Sequence, residues 1–373
     1  MLIAGEASGD LLAAELVAAL RGRLPDAKFF GAGGAKMSAA GVELAFDLTQ
    51  HSVIGITDVL KKYFVFRRLF HQLLAQAIAR QPDVIIGVDY GGFNLRFGQA
   101  VKRYVRDNPF SKWNPRIVQF VSPQVWASRP GRADKLARDY DLLLSIFPFE
   151  QDWYAKRVPQ FRVEFVGHPM VERMQKEELR MQKKSSVPTV LLLPGSRKGE
   201  LQRHLPVMLD ALKLIQEKLP DAKAKMVLPN PALVSLAKSL GANVDIQIGE
   251  LPWALAGADV ALASTGTVTM ECAFFGVPTV TLYKTSWLTY QIAKRLVTVK
   301  SLTMPNLLAG ETVYPEFIQN EATPENLSRA TLALLQDDVQ RAKIKAQLAK
   351  IIASLGEPGA AGRAATAVAS LLG

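Results

Sequence analysis

Apolar runs of four to six residues recur along this chain, each followed by a turn and then a stretch with helical spacing, and this alternation restricts the fold more than any other feature. The clearest are DVIIGV at 83–88, RIVQFV at 116–121, LLLSIF at 142–147, TVLLL at 189–193, VALA at 260–263 and TVTLY at 279–283. A strand without polar alternation has to be covered on both faces, as in a parallel sheet sandwiched between helices. Runs at 28–31, 162–166, 224–228 and 244–248 read the same way, and a short strand ahead of GEASGD opens the chain. That strand begins at the initiator methionine, so either the natural start lies upstream or the strand is abbreviated. The expected fold class is α/β, with two Rossmann-like parallel-sheet domains facing each other across a cleft. With 373 residues the chain exceeds a usual single domain, and the charged stretch at 175–188 is the expected linker between domains at 1–174 and 189–373. Helices fill much of the C-terminal part, and the last of them are free to cross back to the first domain.

Parallel sheets place their chemistry at the carboxyl ends of the strands. In the second half two such ends carry LLPGSR at 192–197 and STGTVTME at 264–271. The first N–H groups of a helix lack internal partners and carry the positive end of its dipole, and glycine allows close approach, so these turns suit a diphosphate such as that of a sugar nucleotide. Arg197 has the fork geometry for two phosphate oxygens, Ser264, Thr265, Gly266 and Thr267 offer N–H groups and hydroxyls, and Glu271 could accept from both ribose hydroxyls. Ordinary strand-to-helix turns look alike, with Arg197 in a surface ion pair and Glu271 favoured by the dipole. In the first half Asp89 ends the 83–88 run, where a carboxylate can take a hydroxyl proton from an acceptor. Glu6 and Asp10 are the other carboxylates at the mouth of that sheet, and Asp10 or Ser8 would cap the helix that follows.

The net charge of +11 is concentrated in two segments: residues 59–82 hold five Lys/Arg and no acid, and residues 94–133 hold eight Lys/Arg and one Asp. A localised basic field implies an anionic partner. Over 58–80 the spacing predicts a helix that mixes Lys61, Lys62, Arg67 and Arg68 with Tyr63, Phe64, Phe66 and Phe70. A helix lying on an anionic bilayer has this composition, and so does one buried between layers that snorkels its charges. A single cysteine, Cys272, excludes an intramolecular disulfide and fits a reducing compartment, and the four histidines have no metal spacing, so neither metal nor cofactor is expected. No apolar run is long enough to span a bilayer, and the N-terminal residues lack a signal-peptide order, so the expected location is cytoplasmic.

Taken jointly, GEASGD at 5–10, the G-x-x-x-V-L run at 55–60, DYGGFN at 89–94, SPQVWA at 122–127 with Arg129 and Arg132, FPFE at 147–150, GHP at 167–169, LLPGSR, STGTVTME and PNLLAG at 305–310 resemble the lipid-A-disaccharide synthases, inverting glycosyltransferases of GT-B architecture. The resemblance runs over essentially the whole chain. It implies metal-independent transfer of a 2,3-diacylglucosamine unit from UDP-2,3-diacylglucosamine to 2,3-diacylglucosamine 1-phosphate, forming a β(1→6) bond and releasing UDP. It also implies Asp89 as general base and Arg197, Glu271 and Asn306 on the donor side. On the acceptor and lipid side it implies Glu6, Ser8, Asp10, Ser122, Trp126, Arg129 and Arg132, the two arginines as phosphate contacts. The helix at 58–80 would dock on the cytoplasmic face of the inner membrane. A homodimer stays open. Where some relatives carry a second acid three residues after the Asp89 position, this chain has Gly92.

The nearest alternative in fold is a UDP-N-acetylglucosamine 2-epimerase-like enzyme, which would not need the aromatic, basic helix. A non-catalytic basic membrane-binding protein is the alternative of another class. Nucleic acid is disfavoured, because the aromatic residues interleave with aliphatic ones and no binding motif is present. A nicotinamide dehydrogenase is disfavoured too, because no strand leads into G-x-G-x-x-G with an acid about twenty residues on.

Overall fold

The computed structural model describes residues 1–51, 59–178 and 187–372. The chain forms two compact units, Met1–Pro169 with Leu355–Gly373, and Met170–Ser354. In the first, a parallel sheet contains β1 (Leu2–Ala4), β2 (Phe30–Gly33), β3 (Glu43–Asp47), β4 (Val84–Val88), β5 (Arg116–Phe120), β6 (Leu142–Ser145) and β7 (Val163–Phe165). In the second, the parallel strands are β8 (Thr189–Leu193), β9 (Lys223–Leu228), β10 (Asp245–Ile248), β11 (Val260–Ser264), β12 (Thr279–Tyr283) and β13 (Glu316–Ile318). The orders are β3-β2-β1-β4-β5-β6-β7 and β10-β9-β8-β11-β12-β13. Each order reverses direction at one point, between β1 and β4 and between β8 and β11, and the crevice at such a switch point is where open α/β sheets bind ligands.

The central strands are buried along their length because helices cover both faces, which is why they read as continuous apolar runs. In the first unit Ile3, Ile85 and Leu143 pack with Leu73 and Ala77 of helix Val59–Arg80 and with Phe97 and Val101 of helix Gly91–Asp107. In the second, Leu191 and Leu262 pack with Leu205, Met208 and Leu212 of helix Lys198–Lys218 and with Leu327 and Leu334 of helix Pro324–Gln336. Each fully buried side chain of this kind contributes roughly 1.5–3 kcal/mol, so the strand ends are carried on rigid supports.

Several boundaries differ from the expectation. Helix Met170–Glu178 belongs to the second unit rather than the first, whereas the crossing back left open for the last helices is seen in helix Ala360–Ala369, which packs on helix Ala7–Arg21. Most of the expected linker at 175–188 lies outside the described residues, as does most of the 55–60 motif. Helix Lys198–Lys218 carries Pro206 in its interior. The PNLLAG motif is largely helical: Met304–Ala309 has proline in its first turn and ends at Gly310, whose φ of 70° is the left-handed conformation glycine tolerates.

Candidate active site

At the first switch point β4 runs out at Val88, and Asp89 and Tyr90 both take left-handed backbone conformations, φ 50° and 49°, before helix Gly91–Asp107 begins. Non-glycine residues rarely adopt that region, and each such residue costs about 1–3 kcal/mol. Two buried amides hold the turn: Asn94 Nδ2 and Gln119 Nε2 donate to the Asp89 carbonyl at 2.7 and 2.9 Å. The Asp89 N–H donates to the Phe120 carbonyl at 2.8 Å. Burial raises the pKa of the Asp89 carboxyl, with the Tyr90 N–H opposing the rise. A Cβ on Gly5 would overlap the Tyr90 ring, so glycine is required where the turn after β1 meets the turn after β4. Glu6 is exposed at the start of helix Ala7–Arg21, and after burial its charge is the next cause of the raised Tyr90 pKa. Ser8 is exposed in the same turn.

Beside this turn lies a cavity of about 400 Å³, lined by Gly91 and Gly92 and by Arg96, Arg129, Arg132 and Lys135. Arg129 and Arg132 are the expected pair, while Arg96 and Lys135 join them only in three dimensions. Burial, then Arg129 and then Arg96 lower the Arg132 pKa, so the cluster repels itself. The one carboxylate in the lining, Asp139, is taken by Arg138 through bonds of 2.8 and 2.7 Å.

Other expected acceptor residues have structural tasks instead. The Asp10 carboxylate is buried and accepts from the N–H groups of Gly34, Lys36 and Met37 at 2.7, 2.9 and 3.1 Å, so it fixes helix Ala35–Ala39 rather than meeting an acceptor. Nor does it cap its own helix, which starts earlier, at Ala7. Ser122 and Trp126 are buried around Glu150 of the FPFE motif: the indole donates to Glu150 Oε1 at 2.9 Å, and Ser122 lies 3.0 Å from the Tyr154 hydroxyl. Burial pushes the Glu150 pKa up to about 7 against bonds from Trp126, Phe147 and Ser122. The two motifs are thus each other's partners.

On helix Val59–Arg80 the side chains of Lys61, Lys62 and Tyr63 lie outside the described residues. Phe64 is 61% exposed, and Val65, Arg67 and Arg68 are exposed with it. Phe70 instead packs edge-on against Phe93 and Phe97, with ring centroids 5.3 and 5.6 Å apart, and Phe66 packs on the same core. Those two aromatics are removed from the expected membrane face.

At the second switch point, β8 leads through Gly195, φ 119°, to Arg197 at the head of helix Lys198–Lys218. The Arg197 side chain is 78% exposed, and Nη1 donates to Glu200 Oε1 at 3.3 Å. Glu200 Oε2 also accepts the Ser196 N–H at 3.0 Å, so a carboxylate of the chain itself caps this turn. His204 ties the turn to the neighbouring strand end. Its Nε2 accepts the Lys284 N–H at 3.0 Å, which leaves the proton on Nδ1 to reach the Pro194 carbonyl at 3.0 Å, and burial lowers its pKa. After β11, Ser264 is buried, Thr265 N–H bonds the Leu282 carbonyl at 3.0 Å, and Gly266 and Thr267 are exposed; a Cβ on Gly266 would meet nothing. Burial raises the Glu271 pKa and the Arg173 charge opposes it. Asn306 departs from expectation. It is 2% exposed, its Nδ2 donates to the Tyr314 carbonyl and Glu316 Oε1, and its Oδ1 accepts from the Val313 and Tyr314 N–H groups, all at 2.8 Å. With both donors and both acceptor sites used, it has none left for a ligand. Among the described residues no group of three His, Cys, Asp or Glu side chains could hold a metal ion, and no helix is long and apolar enough to cross a membrane.

Two parallel sheets of Rossmann order, each with a glycine-bearing turn at its switch point, give the chain a fold shared with solved glycosyltransferases and UDP-N-acetylglucosamine 2-epimerases. Over 100% of this chain and 96% of the other, the S. aureus MnaA–UDP co-structure superposes with a TM-score of 0.68 at 13% identity. The spinosyn rhamnosyltransferase SpnG in complex with its aglycone gives 0.53 at 15%, over 97% of this chain and 96% of that one. At such identities the likeness shows the fold alone.

The sequence profile of the family described as Lipid-A-disaccharide synthetase matches residues 1–370. Lipid-A-disaccharide synthases of Myxococcus xanthus and Syntrophus aciditrophicus are 36% and 37% identical, each over 100% of this chain and 97% of the relative. The chain belongs to the lipid-A-disaccharide synthase family, and it is a glycosyltransferase.

Proposed function

We propose that the chain joins two lipid-bearing glucosamines, transferring 2,3-diacylglucosamine from UDP-2,3-diacylglucosamine to 2,3-diacylglucosamine 1-phosphate with inversion. The match to the family over residues 1–370 carries this reading. In the chemical step the acceptor 6-hydroxyl oxygen bonds to the donor's anomeric carbon while its proton passes to the Asp89 carboxylate. The bond from that carbon to the diphosphate oxygen breaks, and UDP leaves with the electron pair. Asp89 suits the base because it ends a buried strand and because burial has raised its pKa toward working pH, where a base is most effective. Positive charge and N–H groups stabilise a leaving diphosphate, and in the second unit Arg197 with the turn at 264–267 supplies both. UDP would draw Arg197 away from Glu200. Glu271 accepts from ribose hydroxyls, and Asn306 acts only by holding its helix in place. Glu6 and Ser8, exposed beside the Asp89 turn, belong to the acceptor side with Arg129 and Arg132.

Both substrates carry acyl chains, so the enzyme works as a peripheral protein on the cytoplasmic face of the inner membrane. The exposed Phe64, Val65, Arg67 and Arg68 support that docking through apolar burial and surface charge. Turnover of the two lipid substrates in mixed micelles tests the reaction. Disaccharide 1-phosphate and UDP in equal amounts are expected, whereas epimerisation of UDP-N-acetylglucosamine without a lipid product would refute it.

A further inference from the structure

We propose that the cavity lined by Gly91, Gly92, Arg96, Arg129, Arg132 and Lys135 is a phosphate-monoester site, and that Arg96 and Lys135 make the acceptor's phosphate the feature the first unit selects. The inference rests on the reading of the acceptor given above.

Four cationic side chains line one cavity of about 400 Å³, and no ion pair involves any of them among the described residues. Several neighbouring cations do find partners: Arg103 pairs with Asp107, Lys102 and Arg116 with Asp141, and Arg138 with Asp139. Four uncompensated charges around one space raise its potential, and an anion entering it relieves their repulsion. Gly91 and Gly92 open the 17-residue helix Gly91–Asp107, so their N–H groups lack intrahelical partners and add the positive end of its dipole.

A phosphate monoester carries about −1.5 to −2 charge near neutral pH and three strong acceptor oxygens, which matches this donor set better than a carboxylate does. A single localised hollow suits one phosphate group, whereas a nucleic-acid backbone needs a continuous basic track. The position also fits. Arg96 stands in the second turn of the helix that follows the Asp89 turn, so a phosphate held here keeps the sugar that bears it near the base.

The test compares kcat/KM for 2,3-diacylglucosamine 1-phosphate with that for 2,3-diacylglucosamine in mixed micelles. The ratio is expected to favour the phosphorylated acceptor in the wild type and to fall by about 10- to 100-fold in Arg96→Ala and Lys135→Ala, the range for losing a charged hydrogen bond. Arg96→Lys should recover part of it. Arg103→Ala, outside the cavity, should leave the ratio unchanged. A ratio untouched by all the cavity variants overturns the proposal. So does weakened binding of Arg96→Ala to anionic vesicles with the ratio intact, which would assign these cations to membrane headgroups. Should the wild type join neither acceptor, the reaction reading fails and the site is tested by itself through calorimetry with glucosamine 1-phosphate. Binding by the wild type that is lost in Arg96→Ala supports the site, and no binding by the wild type overturns it.

Discussion

Asp89 and Tyr90 stand in a conformation that neither would choose, and the side chains holding them there explain how the turn persists. Asn94 and Gln119 spend their N–H groups on the Asp89 carbonyl while Asn94 Oδ1 and Gln119 Oε1 stay buried without a partner. An unmet acceptor costs about 1–3 kcal/mol, so the cost of strain and of idle acceptors is concentrated on the placement of one residue. Glu150 is the second costly residue of the unit, 1% exposed and with a pKa near 7 rather than the ordinary 4.5. Between those values the folded protein keeps a proton that the unfolded chain releases. Stability contributed at low pH is therefore lost as pH rises from about 4.5 to 7, by about 3 kcal/mol in all. Urea midpoints should fall across this range for the wild type and fall less for Glu150→Gln, and parallel pH profiles for the two proteins would contradict the assignment. Asp89 was legible in the sequence because it ends an apolar strand, and Glu150 stood in a motif. Gln119 was hidden inside a strand run, where nothing separates a clamp from a core residue.

Among the elements, legibility followed burial. Strands β4, β8, β11 and β12, covered on both faces, carry uninterrupted apolar runs and were visible to within a residue or so. Strands β3 and β13 lie at sheet edges and are partly exposed, so their sequences hold no such run. Pro206, a residue that favours a first turn, sits inside helix Lys198–Lys218, whose start Arg197 and Glu200 mark. Donor-side and acceptor-side motifs were visible as groups, but Asn306, Asp10, Ser122 and Trp126 turned out to spend their polar atoms inside the protein. Pattern tells which residues belong to a site region without telling which of them face a ligand.

Helix Val59–Arg80 divides along the same line. Phe70→Ala removes a ring packed on Phe93 and Phe97 and should cost about 3 kcal/mol of stability. Phe64→Glu, at an exposed position, should leave the urea midpoint within error yet weaken binding to vesicles containing anionic lipid. A stability loss for Phe64→Glu with unchanged vesicle binding would show that this face serves the fold.

At the scale of the molecule the two units repeat one strand order, and the proposed function divides the chemistry between them. Both basic segments, at 59–82 and 94–133, belong to the unit assigned to the phosphorylated lipid, and the turn with Arg197 belongs to the unit assigned to UDP. The placement of catalysis at Asp89 is the central claim, and the most direct measurement is single-turnover formation of disaccharide by the wild type and by Asp89→Asn, with UDP affinity measured on both. The account predicts a rate lower by about 10²- to 10⁴-fold in the variant, the usual range for losing a general base, with UDP affinity unchanged. It also predicts a wild-type rate that falls with pH below a pKa higher than that of an ordinary aspartate, because the base must be unprotonated and burial has raised its pKa. An Asp89→Asn protein that forms disaccharide at the wild-type rate would contradict it.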